Sequence, residues 1–343
     1  MTVLHVREQG AVVRKDGERV RVTQQDPVTE KQVELTGAPI RELSQVAVYG
    51  NVQVTTQAVA LLLEQEVDLV FLSRYGKFRG RLLKNESKFA QMRHAQLRLT
   101  GDERRALAVA KKIVWAKLAN QRNLLQELAN FGDTPAVVGV LQRASQSIGE
   151  MQQASVQAGD ADTLRGYEGR AGASYFEGFK AWLPANWKFT GRHYFPAPDP
   201  FNALLSFGYA LLQKDCSAAI QLVGLDSYLG CFHALAYDRP SLTLDLMEEF
   251  RPLVVDRTML GLVRAGVIKP GDFTATNRKE RPVELGEALM PKVIEAYEQR
   301  LSSALVHTPS NTQTVLRRCL ELQARLYARV VVGERSEYEG VIG

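Results

Sequence analysis

Residues 224–256 read GLDSYLGCFHALAYDRPSLTLDLMEEFRPLVVD, and the rest of the chain is best understood by working outward from this stretch. After a Pro-Ser pair, its second half predicts a helix with several apolar positions. Residues three and four apart share a helix face, so Asp245 lies beside both Glu248 and Glu249. Three carboxylates this close repel one another unless solvent, a cation or an arginine neutralises them. His233, expected on the preceding helix, would complete an ion site.

The helix alone leaves two interpretations open. An acidic cluster on an amphipathic helix is commonly a solvated surface. A metal site is favoured by the histidine and by the leucines of this segment, because leucine-rich helices are normally packed rather than bare. The remainder of the chain has to decide between them.

The composition is that of an ordinary soluble protein, with 343 residues, 45% hydrophobic and 24% charged, which is enough for two domains. The start, MTVLHVREQG, lacks the basic and apolar regions of a secretory signal. No apolar run approaches the roughly 20 residues of a membrane span. Cys216, Cys231 and Cys319 are widely spaced, which is typical of reduced thiols and predicts a cytoplasmic protein. Cys231 with His233 is a poor zinc pair.

Positive charge is concentrated in one segment, although the net charge of the chain is only +5. Residues 74–122 contain fourteen basic and three acidic side chains, so this segment carries +11 and the rest of the chain −6. Such asymmetry is expected of a surface that follows nucleic-acid phosphates regardless of base sequence. The alternative is a basic helix face that serves solubility.

The pattern of apolar residues predicts an α+β multidomain protein. Residues 1–85 show short β-rich runs, a hairpin signal at Asp16-Gly17 and one helix capped by Thr55 or Thr56, which indicates a β-rich domain. Residues 86–333 show helical periodicity with almost no strands, which indicates a mainly helical domain. Residues 334–343 are expected to form a loose tail.

One predicted helix, 163–182, contains an isolated glutamate, Glu168, among small residues. Glycines at 166, 169, 172 and 178 would let another helix or a ligand backbone come close. Two further predicted helices, 285–305 and 312–330, lie near the end of the chain.

A basic path, an acidic cluster with one histidine and an isolated glutamate together favour phosphate chemistry. A divalent ion held by carboxylates can polarise a phosphodiester while arginine and lysine hold the strand. Mg²⁺ and Mn²⁺ accept carboxylate ligands, and a histidine nitrogen shifts the preference toward Mn²⁺.

Four ordered blocks resemble the CRISPR-associated integrase and endonuclease of spacer acquisition, the family often called Cas one. They read RGYEGRAGASYF, DPFNALLSFGYALL, GLDSYLGCFH and RPSLTLDLMEEFRPLVVDR. The segment VAVYGNVQVTTQAVALLLEQEVDLVFLSRYGKFRGRL is similar to the β-domain of that family. The resemblance extends from about residue 2 to residue 331.

The resemblance implies specific roles for residues of this chain. The family's metal glutamate falls on Glu168, its metal histidine on His233 and its third acidic ligand on Glu248. These three are the expected catalytic residues and ligands of Mg²⁺ or Mn²⁺. Asp245 matches a further acidic position and is a candidate for supporting a ligand or binding a second ion. Glu249 is expected to be solvated or paired with an arginine.

The resemblance also implies partners and a reaction. The family works as a homodimer paired through its β-domains and assembles with a small ferredoxin-like second adaptation protein. The complex inserts short duplex DNA into a CRISPR array by direct transesterification, each 3′-hydroxyl attacking a repeat phosphodiester. Two alternatives stay open from the sequence: a repair nuclease for branched DNA, and a non-catalytic DNA-binding scaffold.

Six basic side chains are predicted DNA contacts. Arg251 has two possible partners, Glu248 or a phosphate. Asn202, Ser206 and Tyr209 share one helix face, which either lines the site or packs internally. The predicted contacts are Arg79, Arg81, Lys84, Arg192, His193 and Arg251.

Overall fold

A computed structural model describes residues 2–26, 29–74, 76, 78–82 and 89–343. It divides into two compact units, Met1–Lys88 and Phe89–Gly343, a division that falls shortly after the predicted boundary. The predicted DNA contact Lys84 lies outside the described residues. Within the described part of the chain, no helix has the length and hydropathy needed to cross a membrane.

The first unit is β-rich, as the sequence predicts, and its described residues form two four-stranded sheets and one α-helix. One sheet has the order β1-β5-β7-β8, in which only β8 runs antiparallel to its neighbour. The other has the order β4-β3-β2-β6, and Asp16-Gly17 begins its β2–β3 hairpin. The elements are β1 (Thr2–Val6), β2 (Val12–Asp16), β3 (Arg19–Gln25), β4 (Gln32–Pro39), β5 (Leu43–Tyr49), β6 (Gln53–Val54), α1 (Thr56–Glu64), β7 (Asp68–Leu72) and β8 (Phe78–Leu82).

Alternating branched residues form the core of this unit. Val13, Val20 and Val22 are fully buried in one sheet, and Val46 in the other. Thr55 caps α1, accepting a hydrogen bond from the backbone of Ala58, and the buried face of α1 joins the same core. Burying every second residue of a strand fixes its register, because a shift by one position would expose these valines.

The second unit is mainly helical, again as predicted. Its helices are α2 (Ala90–Thr100), α3 (Glu103–Ala129), α4 (Pro135–Val156), α5 (Ala161–Trp182), α6 (Pro200–Leu222), α7 (Ser241–Phe250), α8 (Arg257–Arg264), α9 (Met290–Leu301) and α10 (Leu316–Val331). A π-helical turn, Arg251–Asp256, joins α7 to α8. Two short hairpins add β9 (Phe273–Ala275) with β10 (Val283–Leu285) and β11 (Ala304–His307) with β12 (Thr312–Val315).

Those hairpins correct the predicted helices near the end of the chain. The predicted helix 285–305 is α-helical only in α9, because its first residue belongs to β10 and its last residues belong to β11. The predicted helix 312–330 begins four residues later than expected, since its first residues pair with β11. These strands contain β-branched residues such as Thr312, Thr314 and Val315, whose preference for sheets outweighs the apolar periodicity.

The prediction of a loose tail is also wrong. Tyr338 and Val341 are buried, and the backbone amide of Val341 donates a hydrogen bond to a carboxylate oxygen of Glu249, 2.8 Å away. Asn120 of α3 donates to the carbonyl oxygen of Val341 and accepts from the amide of Gly343. Residues 334–343 are therefore packed against the helical unit, for which the polar sequence gives no local signal.

Candidate metal and catalytic site

Three elements of the helical unit bring together the predicted metal ligands. Glu168 lies on α5 and Glu248 on α7, while His233 lies in the loop between α6 and α7. The expectation of a helical His233 is therefore wrong, since α6 ends at Leu222. The imidazole Nε2 of His233 lies 3.7 Å from Oε1 of Glu248.

Lys117 of α3 connects the two glutamates. Its Nζ donates to Oε1 of Glu168 at 2.5 Å and also contacts Oε2 of Glu248. The residue is only 7% exposed. Sequence reasoning counted Lys117 among the basic residues of 74–122 and missed this role. The available signal was its position three residues after the buried Val114, on the apolar side of α3, where an isolated lysine requires a carboxylate partner.

Cations surround Glu248 and determine its charge. Burial alone would raise the pKa of Glu248, but Arg251, Lys117 and His233 outweigh it and hold the pKa at about 2. Burial alone would lower the pKa of Lys117, but Glu168 and Glu248 raise it by more, so the net shift is upward. Both groups are therefore charged at neutral pH. Nε of Arg251 lies 3.2 Å from Oε1 of Glu248. Of the two partners predicted for Arg251, Glu248 or a phosphate, the structure shows the contact with Glu248.

Asp245 holds the loop that carries His233. It is fully buried, and its Oδ2 accepts hydrogen bonds from the amides of Cys231 and Phe232 at 2.6 and 2.9 Å. Its Oδ1 accepts from the amide of His233 at 2.9 Å. Gly230 permits this approach, because a Cβ there would lie within 2.8 Å of the first turn of α7 and of Asp245. The glycine of the LGCFH block is thus required by packing.

The same carboxylate orients the imidazole ring. Nδ1 of His233 lies 2.7 Å from Oδ1 of Asp245, and an ionised carboxylate can only accept. A hydrogen bond between Nδ1 and this carboxylate leaves Nε2, which faces Glu248, as the nitrogen that could bind a metal ion. A carboxylate behind a histidine is the common arrangement that fixes a metal-binding imidazole. Of the two roles expected for Asp245, the contacts support the orienting one.

This arrangement leads to a testable expectation for Asp245→Asn. The asparagine amide would place its NH₂ group against N–H groups that now donate to Asp245, either those of Cys231 and Phe232 or those of His233. The imidazole would then lose its fixed orientation. We expect Mn²⁺ affinity, measured by isothermal titration calorimetry, to fall about 10- to 100-fold. Asp238→Asn, at an exposed position of the same loop, is the matched control and should not change affinity. Equal Mn²⁺ binding by both variants would contradict the assignment.

The donor set fits Mg²⁺ or Mn²⁺: two carboxylates and one imidazole with a free Nε2, leaving further positions for water. Among the described residues, no three or more acidic, histidine or cysteine side chains converge as a finished metal cage. The reason is visible at Glu168 and Glu248, between which the ammonium of Lys117 is placed. The ligand types fit, and their final spacing depends on that lysine.

Glu249 contradicts its predicted role as a solvated or arginine-paired neighbour. It is fully buried, and its carboxylate accepts from the hydroxyl of Tyr338 at 2.5 Å, the amide of Gln323 at 2.7 Å and the amide of Val341. Burial raises the pKa of Glu249 to about 7, although these hydrogen bonds lower it. Its role is to hold the end of the chain, so the three carboxylates of α7 point to three different partners.

Arg192 is fixed beside the site by the helix face that the sequence singled out. Its guanidinium donates to Oδ1 of Asn202 at 2.9 Å and to the hydroxyl of Ser206 at 3.2 Å, and it lies 5.3 Å from the ring centroid of Tyr209. His193 is exposed next to it. His193 is thus accessible to DNA, whereas the hydrogen-bonding groups of Arg192 are largely engaged.

Tyr209 connects Arg192 and Arg251 to the buried Asp256. Its ring lies 4.5 Å beneath the guanidinium of Arg251, and its hydroxyl donates to Asp256 at 2.5 Å. Tyr175 of α5 donates to the other oxygen of Asp256 at 2.8 Å. Burial raises the pKa of Asp256 to about 6, against the two hydroxyl donors. The cation that neutralises Glu248 therefore rests on a fixed aromatic surface.

The glycines of α5 serve different purposes from one another. A Cβ at Gly178 would lie 2.9 Å from Leu125, so this glycine allows α3 and α5 to approach closely. At Gly166, Gly169 and Gly172 a Cβ would meet nothing within 4 Å. The expected close helix contact is therefore found at Gly178 alone of the four.

The predicted DNA contacts of β8 separate into two kinds. Arg79 is exposed, as a phosphate contact requires. The side chain of Arg81 is 7% exposed and is paired with Asp68 at 2.5 Å, so it would have to share or give up that contact to bind a phosphate. Strand alternation alone would place both arginines on one face, but the β7–β8 pairing shifts register between Phe71 and Leu72, opposite Arg79, so the two side chains have different surroundings.

Two relatives match nearly the full chain. "CRISPR-associated endonuclease Cas1 1" of Moorella thermoacetica is 32% identical over 98% of this chain and 97% of its own length. "CRISPR-associated exonuclease Cas4/endonuclease Cas1 fusion" of Geobacter sulfurreducens is 33% identical over 99% of this chain. The chain spans 60% of that fusion protein's length.

Solved structures share the fold at lower identity. A casposase bound to integration product has a TM-score of 0.81 at 22% identity, covering 99% of this chain and 93% of its own. A Cas6-RT-Cas1–Cas2 complex chain has a TM-score of 0.81 at 24% identity, covering 99% and 36%. A Cas1 protein from Thermotoga maritima has a TM-score of 0.78 at 20% identity, covering 100% and 99%.

The fold and the site define a class: two-unit proteins in which a β-rich unit precedes a helical unit that carries a cluster of acidic residues and histidine. The family described as CRISPR associated protein Cas1 matches residues 4–299. The chain belongs to this family, as the four sequence blocks indicate.

Proposed function

We propose that this protein is a divalent-metal-dependent DNA endonuclease and integrase of CRISPR adaptation. The observation that carries the proposal is the meeting of Glu168, His233 and Glu248 beside two further cations, Lys117 and Arg251. Relatives of similar length named as Cas1 endonucleases support the activity. Glu248 is buried, and Glu168 and His233 are only partly exposed and have specific partners, which argues against a DNA-binding scaffold whose acidic cluster is merely surface charge.

Glu168, Glu248 and Nε2 of His233 would hold Mg²⁺ or Mn²⁺, which when bound would supply Lewis-acid stabilisation of a phosphodiester. Asp245 keeps the imidazole oriented through Nδ1, and Arg251 holds Glu248 in place. Burial of Glu248 limits competing water around its carboxylate, which strengthens its interaction with a cation.

The proposed reaction is a direct transesterification. The 3′-hydroxyl oxygen of the incoming duplex forms a new bond to a repeat phosphorus as the bond from that phosphorus to the repeat's own 3′ oxygen breaks. The attacking hydroxyl gives its proton to solvent, and the leaving 3′ oxygen takes one up. One phosphodiester replaces another, so no external energy source is required. Water in place of the 3′-hydroxyl would give the endonuclease reaction at the same site.

Partners follow from the same proposal. We infer a homodimer and an assembly with a Cas2-type second adaptation protein, as well as binding to double-stranded DNA. A Cas1–Cas2 complex among the structures that share this fold supports that partner. The exposed Arg79 and His193 remain predicted DNA contacts.

A strand-transfer assay tests the function. It combines a short duplex with free 3′-hydroxyl ends, a plasmid carrying a CRISPR repeat and purified Cas2-type partner. We expect joined products with Mg²⁺ or Mn²⁺ and none after EDTA, with recovery when the ion is restored. Cleavage of branched DNA without any joined product would favour the repair nuclease instead. Joining that continues undiminished in EDTA would reject the metal site.

A further inference from the structure

Lys117 is placed between two carboxylates that belong to different helices. Its Nζ meets Glu168 of α5 and Glu248 of α7, and the lysine itself is carried by α3. A buried ammonium is costly to desolvate, and two anionic partners offset that cost. The lysine therefore ties together the three helices that build the site.

The two oxygens of Glu248 have separate partners. Oε1 is near Arg251 and Nε2 of His233, whereas Oε2 contacts Lys117. Glu168 meets the same ammonium through Oε1. The side shared by Glu168 and Glu248 is thus held by Nζ, and this is also the side on which a single ion bound by both carboxylates would have to lie.

We propose that Lys117 is a positioning residue that exchanges with the divalent ion: it holds Glu168 and Glu248 together, and it withdraws from between them when the ion binds. The inference rests on the proposed function, because it assumes that these carboxylates are the ligands. Mg²⁺ takes oxygen ligands at about 2.0–2.1 Å, which leaves no room for an ammonium hydrogen-bonded to the same oxygens. The flexible four-carbon stem of lysine allows the withdrawal.

The exchange has a thermodynamic consequence. Ion binding must break two charge-assisted pairs, so the measured affinity for the ion is lower than the three ligands alone would give. In return, the carboxylates do not repel one another before the ion arrives. Removal of the lysine charge should therefore tighten ion binding and make folding depend on the ion.

The experiment compares Lys117→Gln with Lys117→Arg, using Mn²⁺ alone as the probe and isothermal titration calorimetry as the readout. We expect Mn²⁺ to bind the glutamine variant about tenfold or more tightly than the wild type, a change of the size that neighbours of metal ligands produce. The arginine variant keeps the charge and should bind no more tightly than the wild type. Lys112→Gln, at an exposed lysine of the same helix, is the matched control and should leave the affinity unchanged.

Thermal unfolding provides a second readout. Mn²⁺ should raise the Tm of Lys117→Gln more than that of the wild type, because the ion replaces the missing charge between the carboxylates. Equal or weaker Mn²⁺ binding by the glutamine variant than by the arginine variant would overturn the inference. So would a Tm that responds to Mn²⁺ no more than in the wild type.

The failure of the inference and the failure of the proposed function can be distinguished. If the wild type binds Mn²⁺ and His233→Ala abolishes that binding, the metal site stands whatever the lysine variants do. If the wild type and His233→Ala bind Mn²⁺ equally, the proposed site itself is wrong. The lysine comparison is decisive only for the exchange.

Discussion

Replacing His233 with alanine is expected to reduce strand transfer at least about 100-fold in the presence of Mg²⁺ or Mn²⁺, while duplex binding persists. Loss of an outer partner of a metal ligand costs about 10- to 100-fold, and loss of the ligand itself should cost no less. Nε2 of His233 faces Glu248, and alanine removes the only nitrogen donor of the proposed set. Duplex binding should survive because exposed basic residues such as Arg79 are untouched.

The measurement pairs the strand-transfer assay with a gel-shift titration of the same duplex. His94→Ala is the matched control, since His94 is an exposed histidine of α2, and it should transfer strands like the wild type. Alanine at Glu168 or Glu248 is expected to give the same loss as at His233. A His233→Ala variant that transfers strands at the wild-type rate would refute the site.

Replacing Tyr338 with alanine is expected to lower the free energy of unfolding by about 3–5 kcal/mol, as for other large buried aromatic side chains. Tyr338 is 1% exposed, its ring lies 5.8 Å from that of Tyr327, and its hydroxyl donates to the buried Glu249. Alanine both creates a cavity and removes one of the donors on which that carboxylate depends. The expected loss is large because residues 334–343 would lose an anchor at the same time.

Urea unfolding followed by circular dichroism measures this effect. Tyr338→Phe keeps the ring and removes only the hydroxyl, and it should cost about 1–3 kcal/mol because Glu249 then lacks a partner. Tyr237→Ala, at a fully exposed tyrosine, should change stability by no more than about 0.5 kcal/mol. If Tyr338→Ala were as stable as Tyr237→Ala, the packed tail would be contradicted.

Local sequence patterns were enough to predict the two-part architecture. Short branched runs indicate strands, Asp16-Gly17 indicates a hairpin, and long apolar periodicity indicates helices; each of these signals lies within a few neighbouring residues. The same reasoning failed where strands are short, as in β11 and β12, because pairing between segments outweighs local periodicity there.

The clustering of the three candidate ligands could be predicted from the sequence, whereas the contacts that support them could not. The sequence blocks pointed to Glu168, His233 and Glu248, which the structure brings to one place. The roles of Lys117 and Arg81 depend on contacts with other segments of the chain. Lys117 contacts Glu168, 51 residues away, and Arg81 contacts Asp68 on another strand. Charge alone could not separate a buried lysine from an exposed one.

Helix α7 carries three carboxylates that face three different partners, and this sets a limit on how the protein can vary. Asp245 faces the histidine loop, Glu248 faces the cations and Glu249 faces the end of the chain. Inserting a single residue near the middle of α7 would turn everything beyond it by roughly 100°. The histidine loop, the candidate site and residues 334–343 all depend on the same rotation of α7, so a change in the number of residues in this helix would disturb all three at once.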